Sequence, residues 1–176
     1  MIRLIKSTSL DLLRSFDKLL TIFCFYFSKE AMPNYLRRWQ IAQVGQNTWI
    51  TPNVRFDMFK NTEAKKLGRP LIHIGDNCII TEYSHFITHD TSKPYFQKLL
   101  GVAGHKKWGE IVLKDNCFIG IGCLIMPRVT IGPNSLVGAG SVVTKDVEPN
   151  SVYAGNPAKK IMSMAEYVKK HHDDNK

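Results

Sequence analysis

Over the longest patterned tract of the chain, an apolar residue falls on every sixth position. From Leu113 the sequence divides without a gap into LKDNCF, IGIGCL, IMPRVT, IGPNSL, VGAGSV and VTKDVE, ending at Glu148, and every block opens with Leu, Ile or Val. The fifth places, Cys117, Cys123, Val129, Ser135, Ser141 and Val147, are all small or β-branched and suit a tight interior column. The same frame returns upstream as IGDNCI, ITEYSH and FITHDT from Ile74 to Thr91, and more faintly as VGQNTW and ITPNVR from Val44 to Arg55. A period of six fits neither a helix of about 3.6 residues per turn nor a long hairpin strand; it requires short strands that turn a corner every sixth residue. Gly, Asn, Asp and Pro at the second to fourth places, as in Gly75-Asp76-Asn77 and Gly132-Pro133-Asn134, supply that corner. Such repeats bury their apolar side only against the next coil, so they occur in tandem.

Outside the repeat the pattern changes. Between Ile2 and Phe27, the apolar residues Leu10, Leu13, Phe16, Leu20 and Phe23 are spaced by three and four, which predicts an amphipathic helix. Its second part, Leu19 to Phe27, is apolar nearly all round but far shorter than the roughly 20 residues needed to cross a bilayer. Packing against the coils or a partner is the expectation for it, ahead of weak association with a membrane surface. Pro33 is expected to close the helical region, and Met164 to Lys170 to form a short capping helix. The resulting division is a helical segment over 1–36, a repeat domain over 37–163 with insertions near 57–72 and 92–110, and a cap and tail over 164–176.

Composition narrows the partners. The 176 residues suit one domain, and 24 basic against 15 acidic side chains give a net charge of +9, which favours anionic partners. The basic residues are scattered through termini and loops rather than gathered on a reading face, so nucleic acid is not among the expected partners. Cys24, Cys78, Cys117 and Cys123 show no CxxC spacing and no secretory pattern accompanies them, which makes a reducing cytoplasm the expected compartment. Cysteines at a fifth place read as small buried hydrophobes, and no metal is expected.

The blocks resemble those of the hexapeptide-repeat acyltransferases over about residues 44 to 161, and the tail GAGSVVTKDVEPNSVYAGNPAKKI, Gly138 to Ile161, is similar to the ending shared by sugar and polysaccharide acetyltransferases of that family. The resemblance implies an all-β fold, a left-handed parallel β-helix in which three hexads make one triangular coil. Leu113 would then stack on Ile131, Ile119 on Val137 and Ile125 on Val143. It also implies a homotrimer with sites between subunits, acetyl-coenzyme A as co-substrate, and O-acetylation of a sugar or polysaccharide precursor, with N-acetylation of an amino sugar as the neighbouring reaction.

Transfer of an acetyl group to a hydroxyl or amine needs a base for the acceptor's proton, and histidine suits that task near neutral pH. His171 and His172 lie in a polar tail and His73 precedes a coil, which leaves His85, His89 and His105. His89, in ITHDTS just before the insertion, matches the family's Thr-His-Asp variant and by that resemblance is the general base. Asp90, its neighbour in extended backbone, points to the opposite face and reads as a turn former. Some relatives carry a histidine-partner glutamate at the position of Glu110, although its spacing to the next coil differs here. Tyr95, Phe96 and Trp108 offer aromatic faces to a sugar or simply anchor the insertion.

The resemblance further places Ile121, Ala139, Thr144 and Lys145 along a coenzyme A groove, with Ile121 standing where some relatives have serine. Lys159, where several relatives have arginine, and Lys160 beside it would meet phosphates, as point charges rather than planar forks. Two other classes use the same architecture. A non-catalytic scaffold would need neither His89 nor the insertion, and a zinc-dependent carbonic anhydrase would need three convergent histidines, of which the sequence offers no third at suitable spacing.

Overall fold

The computed structural model describes residues 12–20, 30–38, 40–56, 69–90, 92–101 and 107–173. Each described hexad opens on a residue that points inward: Ile50, Ile80, Phe86, Ile119, Ile125, Ile131 and Val137 have no exposed surface at all. Burial of each such side chain is worth about 1.5–3 kcal/mol, and that repeated gain holds the coils together. The short strands gather into three parallel sheets, the walls of a triangular prism. One wall joins β1 (Gln43–Val44), β4 (Ile72–Ile74), β9 (Ile111–Leu113) and β12 (Thr130–Ile131). The second contains β2 (Trp49–Ile50), β5 (Ile79–Ile80), β10 (Phe118–Ile119), β13 (Leu136–Val137) and β15 (Ser151–Ala154), and antiparallel β16 (Lys159–Ser163) closes it. The third wall stacks β3 (Arg55–Phe56), β6 (His85–Phe86), β11 (Leu124–Ile125) and β14 (Val142–Val143). The register is the one the family resemblance implies, with Leu113 against Ile131, Ile119 against Val137 and Ile125 against Val143.

The corner is made at the fourth place. Asn47, Asn77, Asn116 and Asn134 take positive φ there, between 52° and 59°, as do Gly122 and Gly140 at 69°. Asparagine and glycine enter this region at low cost, which explains their choice. Along one edge of the prism the asparagine amides bond in series, Asn77 to Asn116 (3.3 Å), Asn116 to Asn134 (2.9 Å) and Asn134 to Asn150 (2.9 Å). Tyr83 at φ 60° and Arg128 at φ 70° are bulky side chains in the same region, and both lie on corners that flank the third wall.

The fifth-place column does more than fill space. Thr48 Oγ1 donates to the carbonyl of Gly75 (2.8 Å), Ser84 Oγ to that of Gly120 (2.9 Å) and Ser135 Oγ to that of Glu148 (2.8 Å). The thiols of Cys78, Cys117 and Cys123 reach the carbonyls of Lys114, Gly132 and Gly138 in the same way, at 3.1–3.2 Å. Each of these donors ties its coil to the next. The hydrogen bond to Cys78 together with burial pushes the Cys117 thiol up, and burial raises Cys123, so both stay protonated and structural.

The ends depart from the sequence-based expectation in two respects. Pro33 does not close a helix: it sits in the first turn of α1 (Ala31–Arg38), where a missing N–H costs nothing. Met32, Tyr35 and Leu36 of α1 are buried with the lowest coil and cap the prism. Residues 12–20 are helical, but Leu13, Phe16 and Leu20 face solvent together with Leu12 and Leu19, so that stretch does not bury its apolar face on this chain. Leu10, Phe23 and the rest of the apolar run lie outside the described residues. At the other end α2 (Ser92–Leu99) occupies part of the second insertion, and α3 (Met164–Asp173) extends the expected capping helix by three residues.

Candidate active site

The third wall carries the chemistry-bearing positions. His89 lies in β7 (His89–Asp90), the point at which the chain leaves the prism, and β8 (Lys107–Trp108) returns beside it in antiparallel pairing, with His89 opposite Trp108. The two rings are 5.1 Å apart and tilted by 38°, so the imidazole is held against an aromatic face at the base of a projecting arm. Asp90 Oδ1 accepts hydrogen bonds from the N–H (2.8 Å) and hydroxyl (2.6 Å) of Ser92, which makes it the turn former that starts α2. Tyr95 and Phe96 are exposed on that helix, edge to face with each other at 5.5 Å.

Gly109 anchors the returning strand. Its N–H donates to the Thr88 carbonyl (2.8 Å), and a side chain on it would lie 2.8 Å from the backbone nitrogen of Arg128. The corner of the next coil, Pro127-Arg128, therefore abuts the base of the arm, and eighteen residues on in the same register come Lys145 and Asp146. Thr144 and Lys145 are exposed on the same edge of the third wall as His89. Ile121 and Ala139 are exposed on its opposite edge, joined by the bond from Gly140 N–H to the Ile121 carbonyl (2.8 Å). Of the four positions expected along the coenzyme A groove, two thus lie on each edge of this wall.

Lys159 opens β16, paired with Ala154, and the adjacent Ala158 donates to the Val142 carbonyl (2.8 Å) at the top of that wall. Lys160 does not extend a basic cluster from it. Its Nζ is 2.6 Å from Glu148, which holds the ammonium above its usual range. Glu110 is engaged by Arg69 at 2.5 Å and lies 3.9 Å from His73, whose Nδ1 meets Gln43 at 2.9 Å. His85 is half-buried on β6 between Arg55 and Leu124, and His105 lies outside the described residues. Among the described residues no group of three or more His, Cys, Asp and Glu stands close enough to hold a metal ion. The sequence reading missed Arg128, whose side chain crowds Gly109 and whose fourth-place position in an IMPRVT block gave no sign of its contact.

Comparison with known proteins gives this architecture a family. The bacterial transferase hexapeptide (six repeats) family matches residues 110–145. Galactoside O-acetyltransferase of Escherichia coli strain K12 is 38% identical over 138 residues, which is 68% of this chain and 63% of that protein. The hexapeptide-repeat acetyltransferase of Vibrio cholerae O1 biovar eltor, solved in complex with acetyl-coenzyme A, superposes with a TM-score of 0.61 at 27% identity, covering 89% of this chain and 90% of that one. Maltose O-acetyltransferase from Clostridium difficile 630 gives 0.57 at 25% identity, over 86% and 84%. The fold is a left-handed parallel β-helix. The chain belongs to the hexapeptide-repeat family, and it spans less than two thirds of the length of the curated relatives it first matches.

Proposed function

We propose that the chain is an acetyltransferase that moves an acetyl group from acetyl-coenzyme A to a hydroxyl of a sugar or polysaccharide precursor in the cytoplasm, with His89 as general base. The observation that carries this reading is the clasp of β7 and β8, which holds His89 against Trp108 on the edge of the third wall. Acetyl-coenzyme A, when bound, supplies an acetyl carbon activated by its thioester. His89 takes the proton of the acceptor hydroxyl as that oxygen bonds to the acetyl carbon, and returns it to the sulfur as the C–S bond breaks. Thr144, Lys145, Ile121 and Ala139 would guide the donor along the upper coils, with Lys159 offering a charge to its phosphates. Loss of a positioned base costs about 10²–10⁴-fold in rate. Release of free coenzyme A thiol, followed over a panel of sugars, should fall by that factor in both His89→Ala and His89→Asn while far-UV circular dichroism stays unchanged. Undiminished release in the two variants removes His89 from the reaction. Homotrimer formation and contact of residues 12–20 with an anionic membrane surface complete the proposal.

A further inference from the structure

We propose that the pocket between the cap and the foot of the third wall binds an anionic group of the acceptor, so that the acceptor is a saccharide bearing a carboxylate or a phosphate. This deepens the acetyl-transfer reading and rests on it for the word acceptor; the pocket itself stands on its own geometry. The cavity holds about 220 Å³. It is a surface pocket open to solvent on one side, and at about 30 Å³ per water it has room for about seven, the bulk of one sugar ring.

Its floor is apolar and rigid. Met32 and Leu36 of α1, Val54, and Phe56 line it, and Phe56 is stacked on the fully buried Phe86 with centroids 5.1 Å apart. Such a floor accepts the C–H face of a sugar. Lys18 and Arg55 bring two cations to the rim from different elements, and His85 and Tyr35 line it beside them. Burial is the main cause that holds the Tyr35 phenol above its usual range, with Arg14 opposing and Asp17 adding to the rise, so it stays a neutral donor. Among the described residues Asp17 is the carboxylate whose field reaches Tyr35, and it is paired with Arg38 at 3.5 Å. An apolar floor beside the ammonium of Lys18 and the guanidinium of Arg55 fits a ring with an acidic substituent.

The position suits an acceptor. His85 on the rim precedes His89 by four residues, so their Cα atoms are at most about 14 Å apart, within the length of one or two sugar units. An acidic sugar seated in the pocket would present a hydroxyl, its own or its neighbour's, to the base. Donor, base and acceptor would then lie in order down one wall.

Calorimetric titration of the full chain with glucuronate, glucose 6-phosphate and glucose, without coenzyme A, tests the pocket apart from catalysis. At low salt at least one anionic probe should bind about tenfold more tightly than glucose, and Arg55→Gln and Lys18→Gln should each remove most of that advantage. Lys170→Gln, an equal charge loss on α3, should leave it intact. Preference for glucuronate names a carboxylate and preference for glucose 6-phosphate a phosphate. Equal binding of glucose, an advantage that survives Arg55→Gln, or no binding of any probe overturns the assignment. A chain that binds the anionic probe but releases no thiol keeps the pocket and sinks the transferase reading instead.

Discussion

Gly120, at the second place of its hexad, has no room for a side chain: an added Cβ would stand 2.6 Å from the backbone nitrogen of Ala139 in the next coil. Backbone cannot yield as a flexible side chain does, so Gly120→Ala must push two coils apart. The expected cost is about 1–3 kcal/mol, typical of overpacking, read as a lower midpoint in urea with an unchanged slope. A midpoint equal to that of the parent chain would show that the coils are looser than this contact implies. At this scale the sequence was legible wherever the period alone decides the outcome. The first-place residues are inward and the fifth places small, because a regular coil allows nothing else. That Thr48, Ser84 and Ser135 donate to carbonyls of the following coil was not legible, since the acceptor comes from a residue 13 to 36 positions away. Arg128 and Tyr83 at positive φ were equally hidden, because composition suggests glycine or asparagine there and both positions break the pattern at corners of the candidate site.

Among elements, α3 carries a start signal that the sequence spells as SMAE. Ser163 Oγ accepts from the Glu166 N–H (3.2 Å), and the Glu166 carboxylate accepts from the Ser163 N–H (2.7 Å) and hydroxyl (2.6 Å), a reciprocal capping box. The hydrogen bond from the Ser163 hydroxyl, and then that from its N–H, hold Glu166 below the usual carboxylate range. A folded-state pKa lowered in this way gives stability that is present above the unfolded value and is lost as pH falls through the folded one. Amide exchange across α3 should therefore quicken as pH drops from about 6 to about 3 once intrinsic rates are divided out, and Glu166→Gln should flatten the response. Protection that is insensitive to pH in the parent chain would deny the box any role in holding the helix. The second insertion shows the opposite limit. An eight-residue helix such as α2 is too short for a period to declare itself, and its cap, Asp90, is shared with the strand that carries His89. Pairing of His89 with Trp108 spans the whole arm, so local reading found both residues without joining them.

For the molecule as a whole, the helical stretch 12–20 is turned the wrong way round for a lone protein. Leu12, Leu13, Phe16, Leu19 and Leu20 share one face and are 52–73% exposed, while Arg14 and Asp17 on the other are half-buried toward the body. Helical spacing in the sequence located this stripe but could not say which way it faces, because orientation is set by contacts such as Asp17 with Arg38. An exposed stripe of this kind needs an occupant. An anionic bilayer attracts a chain of net charge +9 and accepts the leucines and phenylalanine at its surface. The chain should therefore sediment with phosphatidylserine-containing vesicles and not with neutral phosphatidylcholine, less strongly as salt rises. Leu12→Ser combined with Phe16→Ser should abolish the association while leaving the sedimentation coefficient without vesicles unchanged, because the trimer proposed above would be held through the coils and would not use this stripe. If the double variant instead dissociates the assembly in the absence of lipid, the stripe lies between subunits and the membrane contact is wrong.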